Sequence, residues 1–305
     1  MSGAPPVAVH VGPRHLPELE RAVTGGGGRI VPLEEAVGIV YHGSDDPAEV
    51  VGMIHPGIRW VQLPHAGVEP WIAAGVVTSD PVWTSATGAY APQVAEHAFA
   101  LMLMAARGLH TLARADHWLP KTTRQFAGST VAVVGAGGIG RSLVQLLEPL
   151  DCTVLAVSDS GDFPGARRTE RRADYRDVLP EADFVVLSAP STPQTRGLIG
   201  ARELALMRHD AWLVNVARGD LVVTDDLVAA LREERIGGAA LDVTDPEPLP
   251  AGHPLWSLPR AVITPHAANP EEAYWNSLAG RVRTNVQRLG EGRPLVGVID
   301  ADSGF

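Results

Sequence analysis

The run Val131-Ala132-Val133-Val134-Gly135-Ala136-Gly137-Gly138-Ile139-Gly140 constrains the fold more than any other stretch of this chain. Its β-branched apolar start predicts a strand buried on both faces. The apolar spacing of the following Arg141-Ser142-Leu143-Val144-Gln145-Leu146-Leu147 predicts a helix. Gly135, Gly137 and Gly140 then fall in a strand-to-helix turn. In such a turn the first glycine permits the tight reversal, the second lets backbone approach a pyrophosphate, and the third lets helix pack closely on strand. The helix N-terminus faces the anion with unbonded N–H groups and the positive end of its dipole. Three glycines alone fit an ordinary turn, but framed by a strand and a helix they predict dinucleotide binding.

The pattern around this motif is regular. Strands are predicted at residues 131–134, 153–157, 184–187, 212–216, 239–243 and 262–264, separated by helical stretches at 139–150, near 175–179, 203–208 and 225–235. Strands alternating with helices imply parallel βαβ units and a doubly wound sheet. Ahead of them, strands at 7–11, 38–41, 60–63 and 76–78, with a helix near 47–54, predict a smaller α/β unit. Pro92 opens a helix that is apolar on nearly every side, through Ala95, Ala98, Phe99, Leu101, Met102, Leu103 and Ala105, and it marks the boundary. Glu96 and His97 near its start read as polar groups satisfied structurally. A helix-like run at 271–289 carries the chain back, so the small unit is expected to be discontinuous, 1–94 with 271–305, around an inserted unit at 95–270.

Composition excludes several function classes. At 305 residues, with roughly 150 per domain as the prior, two domains are expected, and 45% apolar content supplies both cores. A formal charge of −10 argues against a nucleic-acid or membrane-surface partner. The densest basic group, Arg167-Arg168 with Arg171-Arg172, alternates with acids and reads as a solvated loop. The single cysteine, Cys152, excludes an internal disulfide and reads as core rather than nucleophile. The opening Met1 to Pro6 lacks the charged and apolar regions of a signal peptide. The longest apolar stretch, 94–106, contains Glu96 and His97 and is too short to span a bilayer. A soluble cytoplasmic protein without a metal site is expected.

Three ionisable residues each follow a predicted strand: Arg218 in Asn215-Val216-Ala217-Arg218-Gly219, Glu247 in Asp242-Val243-Thr244-Asp245-Pro246-Glu247-Pro248, and His266 in Thr264-Pro265-His266. Ligands of open parallel sheets bind outside the carboxyl ends of the strands, where these three would gather. Taken singly they have ordinary readings: a surface ion pair, a turn carboxylate, a hydrogen-bonded histidine. Together they form a usable set. An arginine clamps a carboxylate and polarises an adjacent carbonyl, a histidine exchanges a proton near neutral pH, and a carboxylate orients that histidine. The loop Leu63-Pro64-His65-Ala66-Gly67-Val68-Glu69 exposes backbone N–H groups that could hold an anion, though by itself it fits an ordinary turn.

The glycine turn, Asn215-Val216-Ala217-Arg218-Gly219, the Asp242-to-Glu247-Pro248 spacing and Thr264-Pro265-His266 resemble the D-isomer-specific 2-hydroxyacid dehydrogenase family. So does the longer run from Met207 through Val222, nearly continuous with a family signature. The resemblance spans most of the chain and is closest from about residue 94 to residue 268. It implies a Rossmann cofactor domain inserted in a smaller flavodoxin-like α/β substrate domain. It further implies NAD(P)-dependent, reversible hydride transfer with a small 2-oxo or 2-hydroxy acid, and a homodimer joined through the cofactor domains. By resemblance Arg218 binds the substrate carboxylate and carbonyl oxygen, His266 is the acid/base, Glu247 hydrogen-bonds His266, and the Ala66, Gly67 and Val68 amides bind the carboxylate. Family cofactor contacts fall on Gly138, Ile139, Pro190, Thr195, Val216, Ala217, Arg218, Asp242 and His266.

Departures from related branches narrow the substrate. Related formate dehydrogenases carry glutamine where Glu247 stands, and related phosphite dehydrogenases carry a lysine near Ala66. With the chain ending at Phe305, the regulatory extension of many phosphoglycerate dehydrogenases is not expected. A glyoxylate/hydroxypyruvate-type reductase is the expectation. A nonenzymatic, dinucleotide-sensing protein like the corepressors sharing this fold is the competing class, and turnover of 2-oxo acids discriminates the two. For the cofactor, an NAD enzyme places an acid roughly 20 residues beyond the glycines. That position is Ser158, and the acid, Asp159, comes one residue later. NADP-using relatives resemble this serine but follow it with arginine. NAD is therefore expected, with NADP possible if Arg167 and Arg168 fold over the site.

Overall fold

The computed structural model describes residues 5–120, 123–159, 161 and 163–300. Residues 1–4 and 301–305, which carry part of the expectations of no leader and no extension, lie outside them. The chain divides into two compact units, Met1–Tyr90 with Pro270–Phe305, and Ala91–Asn269.

The first unit holds strands β1 (Ala8–Pro13), β2 (Arg29–Ile30), β3 (Gly38–His42), β4 (Trp60–Gln62) and β5 (Val82–Thr84), all parallel in the order β2-β1-β3-β4-β5. This is the flavodoxin-like order. Helices α1 (Pro17–Gly25), α2 (Pro47–Val51) and α3 (Glu69–Ala73) belong to it, as does the returning helix Glu271–Gly290. That helix is tied to the sheet by a buried side chain: Asn285 Nδ2 donates to Gln62 Oε1 at 3.0 Å, and Asn285 Oδ1 accepts from Val296 N at 2.8 Å. Because every polar atom so enclosed must find a partner, these bonds fix the helix in place as well as bury it.

One expected strand is absent here. Residues 76–78 form no strand; Gly75, at φ +68, turns the chain after α3, and the pairing partner of β4 is β5, with Trp60 opposite Val82. The apolar Val76 and Val77 that suggested a strand pack instead against the core containing Val61, Trp71 and Trp83.

The second unit holds β6 (Thr130–Val134), β7 (Thr153–Val157), β8 (Arg168–Glu170), β9 (Phe184–Leu187), β10 (Trp212–Asn215), β11 (Gly238–Leu241) and β12 (Ala261–Ile263) in the order β12-β11-β10-β9-β6-β7-β8, all parallel. Counted from β6, this is the doubly wound dinucleotide-binding order with one further strand. Its helices are α4 (Ala91–Ala106), α5 (Leu109–Leu112), α6 (Gly138–Leu147), α7 (Ala201–Leu206) and α8 (Thr224–Arg232). Successive side chains of a strand point to opposite faces. Accordingly Val131 and Val133 join the core under α4 and α6, while Ala132 and Val134 join the core under α7 and α8. Both faces are covered, which is why β6 reads as a continuous apolar run.

Two local differences have clear causes. The helix expected over 139–150 ends at Leu147, and a 3₁₀ turn takes over at Glu148–Leu150, where Pro149 cannot continue the bonding. The basic group expected as a solvated loop contains the edge strand β8. There Arg168 Nη2 sits 2.8 Å from Glu181 Oε1, a charged edge of the kind that discourages further pairing.

Among the described residues, no helix is long and apolar enough to cross a membrane and no cluster of His, Cys, Asp and Glu could hold a metal.

Candidate active site

The order of the second sheet reverses between β6 and β9, and the glycine turn lies at that point. Gly135 has φ +117, and a Cβ on it would come within 2.5 Å of Ala189 N in the loop after β9. Ser188 Oγ closes the same approach by donating to Gly135 O at 2.9 Å. A Cβ on Gly140 would meet Gly135 O at 2.4 Å, so this glycine lets α6 lie directly against the end of β6. Gly137 differs. It caps α6, is exposed, and a Cβ there would meet no protein atom within 4 Å. The protein's own packing therefore explains Gly135 and Gly140 but not Gly137. The open approach to the first turn of α6, where Gly138 is also exposed, fits a dinucleotide pyrophosphate. Ile139 packs toward the core beneath.

The loop after β9 is folded on itself by Thr195, whose hydroxyl donates to Pro190 O at 2.7 Å and accepts from Thr192 N at 2.8 Å. At the end of β7, Ser158 is buried and its amide donates to Glu170 O at 2.9 Å. Asp159 is exposed, with Oδ1 3.4 Å from Arg172 Nε, at a cavity of about 500 Å³ also lined by Arg171 and Tyr175. The arginines beside Asp159 are thus 171 and 172. Arg168, expected as a possible partner here, is held in the edge strand by Glu170 and Glu181.

Arg218 follows β10 in a turn built by Asn215, itself 1% exposed. Asn215 Nδ2 donates to Arg218 O at 2.8 Å and Oδ1 accepts from Ala217 N at 3.1 Å, the side-chain mimicry of a backbone turn for which asparagine is suited. Val216 and Ala217 are buried, and Arg218 Nη1 donates to Ala217 O at 2.7 Å. The next residue explains its own identity: a Cβ on Gly219 would lie 2.0 Å from the carbonyl of Thr244. Only glycine lets the Arg218 turn rest against the turn after β11 that carries Glu247.

Within that second turn, Thr244 N donates to Glu247 Oε2 at 3.3 Å and Thr244 Oγ1 donates to Pro246 O at 2.9 Å. Glu247 Oε1 lies 2.6 Å from His266 Nδ1, so the carboxylate engages one ring nitrogen and leaves Nε2 to exchange a proton. His266 has φ +51, a left-handed conformation costing roughly 1–2 kcal/mol for a residue with a Cβ. Such strain persists only where neighbouring bonds hold it.

Those bonds come from Asp242, which is 2% exposed. Its carbonyl accepts from His266 N at 2.8 Å, Oδ1 from Ala267 N at 2.8 Å and Thr264 Oγ1 at 2.5 Å, and Oδ2 from Ala268 N at 3.0 Å. Burial would push this carboxyl up, but the hydrogen bonds from His97, Thr264 and the two amides outweigh it and hold the carboxyl below its ordinary value. Sequence reasoning set His97 aside; the structure brings its Nε2 to 3.0 Å from Thr264 Oγ1 and 3.3 Å from Asp242 Oδ1. The available signal was a histidine in the opening turns of an otherwise apolar helix.

In the first unit, the loop after β4 holds Ala66 and Gly67, and Val68 caps α3. Thr87 Oγ1 donates to Ala66 O at 3.0 Å and Ala86 N to His65 O at 2.9 Å, so the loop's carbonyls are tied down. Stacked Tyr90 and Tyr274 both donate to Pro64 O, at 2.5 and 3.0 Å, and burial pushes both phenols up, keeping them protonated donors. His65 Nε2 is 3.0 Å from Asp45 Oδ1.

With this geometry in place, comparison with known proteins gives the family. Residues 99–268 match the D-isomer specific 2-hydroxyacid dehydrogenase, NAD binding domain. The chain belongs to that family. It is 38% identical over 302 residues to an uncharacterized protein in the proB 3′ region of Corynebacterium melassecola, covering 95% of this chain and 98% of that protein. It is also 38% identical over 204 residues to a D-specific alpha-keto acid dehydrogenase of Enterococcus faecalis, covering 60% of this chain and 61% of that one. Among solved structures, the D-isomer specific 2-hydroxyacid dehydrogenase of Xanthobacter autotrophicus Py2, in complex with NADPH and MES, matches 99% of this chain and all of its own, with a TM-score of 0.85 at 25% identity. This member of the family is an NAD(P)-dependent 2-hydroxyacid dehydrogenase.

Proposed function

We propose that this dehydrogenase reduces a small 2-oxo acid of the glyoxylate/hydroxypyruvate type to the D-2-hydroxy acid. The observation that carries the reading is the 2.6 Å contact between His266 and Glu247, beside the turn that presents Arg218. When bound, the nicotinamide supplies the hydride. Arg218 holds the substrate carboxylate and stabilises the negative charge growing on the carbonyl oxygen. His266 Nε2 gives that oxygen its proton, and Glu247 keeps the ring oriented through Nδ1. Within the first unit, the Ala66, Gly67 and Val68 amides offer donors suited to a carboxylate; among the described residues they donate to no protein group. Glu247 in place of glutamine, and no lysine near Ala66, support a 2-oxo acid over formate or phosphite. The test is NADH and NADPH oxidation, followed by absorbance, with a panel of 2-oxo acids. Turnover restricted to long or aromatic 2-oxo acids would overturn the small-substrate reading.

For the cofactor the proposal is NAD(H) over NADP(H). Asp159 would repel a 2′-phosphate and already faces Arg172 at 3.4 Å. Asp159→Arg is expected to move the kcat/KM ratio toward NADPH by about tenfold or more, a change of about 1.4 kcal/mol in relative transition-state binding. A wild-type preference for NADPH would show the role given to Asp159 to be wrong.

The proposed assembly is a homodimer joined through the cofactor units. On that unit Trp118 is 99% exposed and Leu109 49% exposed, large apolar side chains whose burial a partner copy would reward. Light scattering at micromolar concentration is expected to give the mass of two chains, and a monomer mass would refute it.

A further inference from the structure

The buried carboxylate of Asp242 is bonded to the residues on both sides of His266: to Thr264 before it, and to the Ala267 and Ala268 amides after it. It is the clamp that keeps His266 in its left-handed conformation. What orients the clamp from the helix side is His97 on α4, with Nε2 3.0 Å from Thr264 Oγ1 and 3.3 Å from Asp242 Oδ1. Thr264 gives its own hydroxyl proton to Asp242, so the hydroxyl can only accept from His97 and Nε2 must carry the proton. The result is a directed chain, His97 to Thr264 to Asp242, ending at the backbone that carries the imidazole.

We propose that His97 is a positioning residue for His266, acting through Thr264 and Asp242. The proposal rests on the reading of His266 as acid/base. Removing the His97 donor leaves the Thr264 hydroxyl held only by its own bond to Asp242, and withdraws a partner from Asp242 Oδ1. The Ala267 and Ala268 amides then lose their fixed acceptor, the strained turn relaxes, and the imidazole moves off its line with Glu247. The helix itself persists, because Ala95, Ala98, Leu101 and Met102 bury its inner side independently of residue 97.

The test uses the full-length protein with His97→Leu, His97→Gln and His266→Ala. NADH affinity and binding stoichiometry are measured by fluorescence titration, and kcat and KM for the 2-oxo acid are expressed per NADH-binding site. His97→Leu is expected to lower kcat per site by about 10–100-fold, the scale of a misplaced reacting group. NADH affinity should change by much less than kcat, since the glycine turn that takes the pyrophosphate is untouched although Asp242 and His266 are among the expected cofactor contacts. His97→Gln, whose amide keeps a donor, should recover most of the rate. A merely structural role would reduce the number of binding sites and leave the rate per site unchanged; that outcome, a wild-type rate in His97→Leu, or no recovery in His97→Gln overturns the proposal. An active His266→Ala overturns the acid/base reading instead, whereas an inactive His266→Ala beside a normal His97→Leu overturns only the role of His97.

Discussion

Arg218→Ala is expected to lower kcat/KM for 2-oxo acid reduction on the order of 10²–10³-fold, about 2.7–4 kcal/mol of transition-state stabilisation. The guanidinium has two tasks in the proposed reaction: it holds the carboxylate throughout, and it meets charge that exists fully only as the carbonyl is reduced. The second task makes the loss appear in kcat as well as KM. Arg218→Lys should restore part of the KM effect, because a point charge still attracts a carboxylate, but little of kcat, because the planar two-pronged geometry is gone. The control is NADH binding, which should be nearly preserved. The turn that carries Arg218 is shaped by Asn215 and by the close approach at Gly219, neither of which depends on the guanidinium. Steady-state kinetics decide it, and near wild-type kcat/KM in the alanine variant would mean that another group clamps the substrate.

The parts of this molecule written in short-range patterns were readable from the sequence. Val131 to Val134 are apolar without interruption because the strand is covered on both faces, and the glycines after it are those that a strand-to-helix turn with close backbone contacts requires. The same holds for the strands preceding Arg218, Glu247 and His266, whose contiguous order at one side of the sheet follows from right-handed parallel connections. What escaped was fixed by pairing rather than by local composition. The edge strand β8 consists of Arg168, Thr169 and Glu170, a polar triplet that is a strand only because β7 pairs with it. The two-residue β2 is likewise defined by its bonds to β1. Residues 76–78 made the opposite error possible, since β-branched residues fill a core after a turn as readily as they form a strand. His97 was illegible for a related reason. Its partners, Thr264 and Asp242, are 167 and 145 positions away, and no spacing within α4 reveals that an inward histidine meets a buried carboxylate.

His266→Ala is expected to lower kcat for reduction by on the order of 10²–10⁴-fold, the contribution of a positioned proton donor. NADH binding should survive, because the pyrophosphate turn and the end of β6 lie on other loops. Glu247→Gln separates orientation from proton transfer. Glutamine can still accept from Nδ1 through its amide oxygen, so the ring stays close to its place, but the full negative charge 2.6 Å from the imidazole is gone. Glu247→Gln is therefore expected to keep more of the wild-type kcat than Glu247→Ala, in which Nδ1 has no partner and the imidazole can turn away from the substrate oxygen, a misplacement worth about 10–100-fold in rate. Steady-state kinetics on the two variants check it, and equal losses in both would mean that the hydrogen bond at Nδ1 does not place the ring.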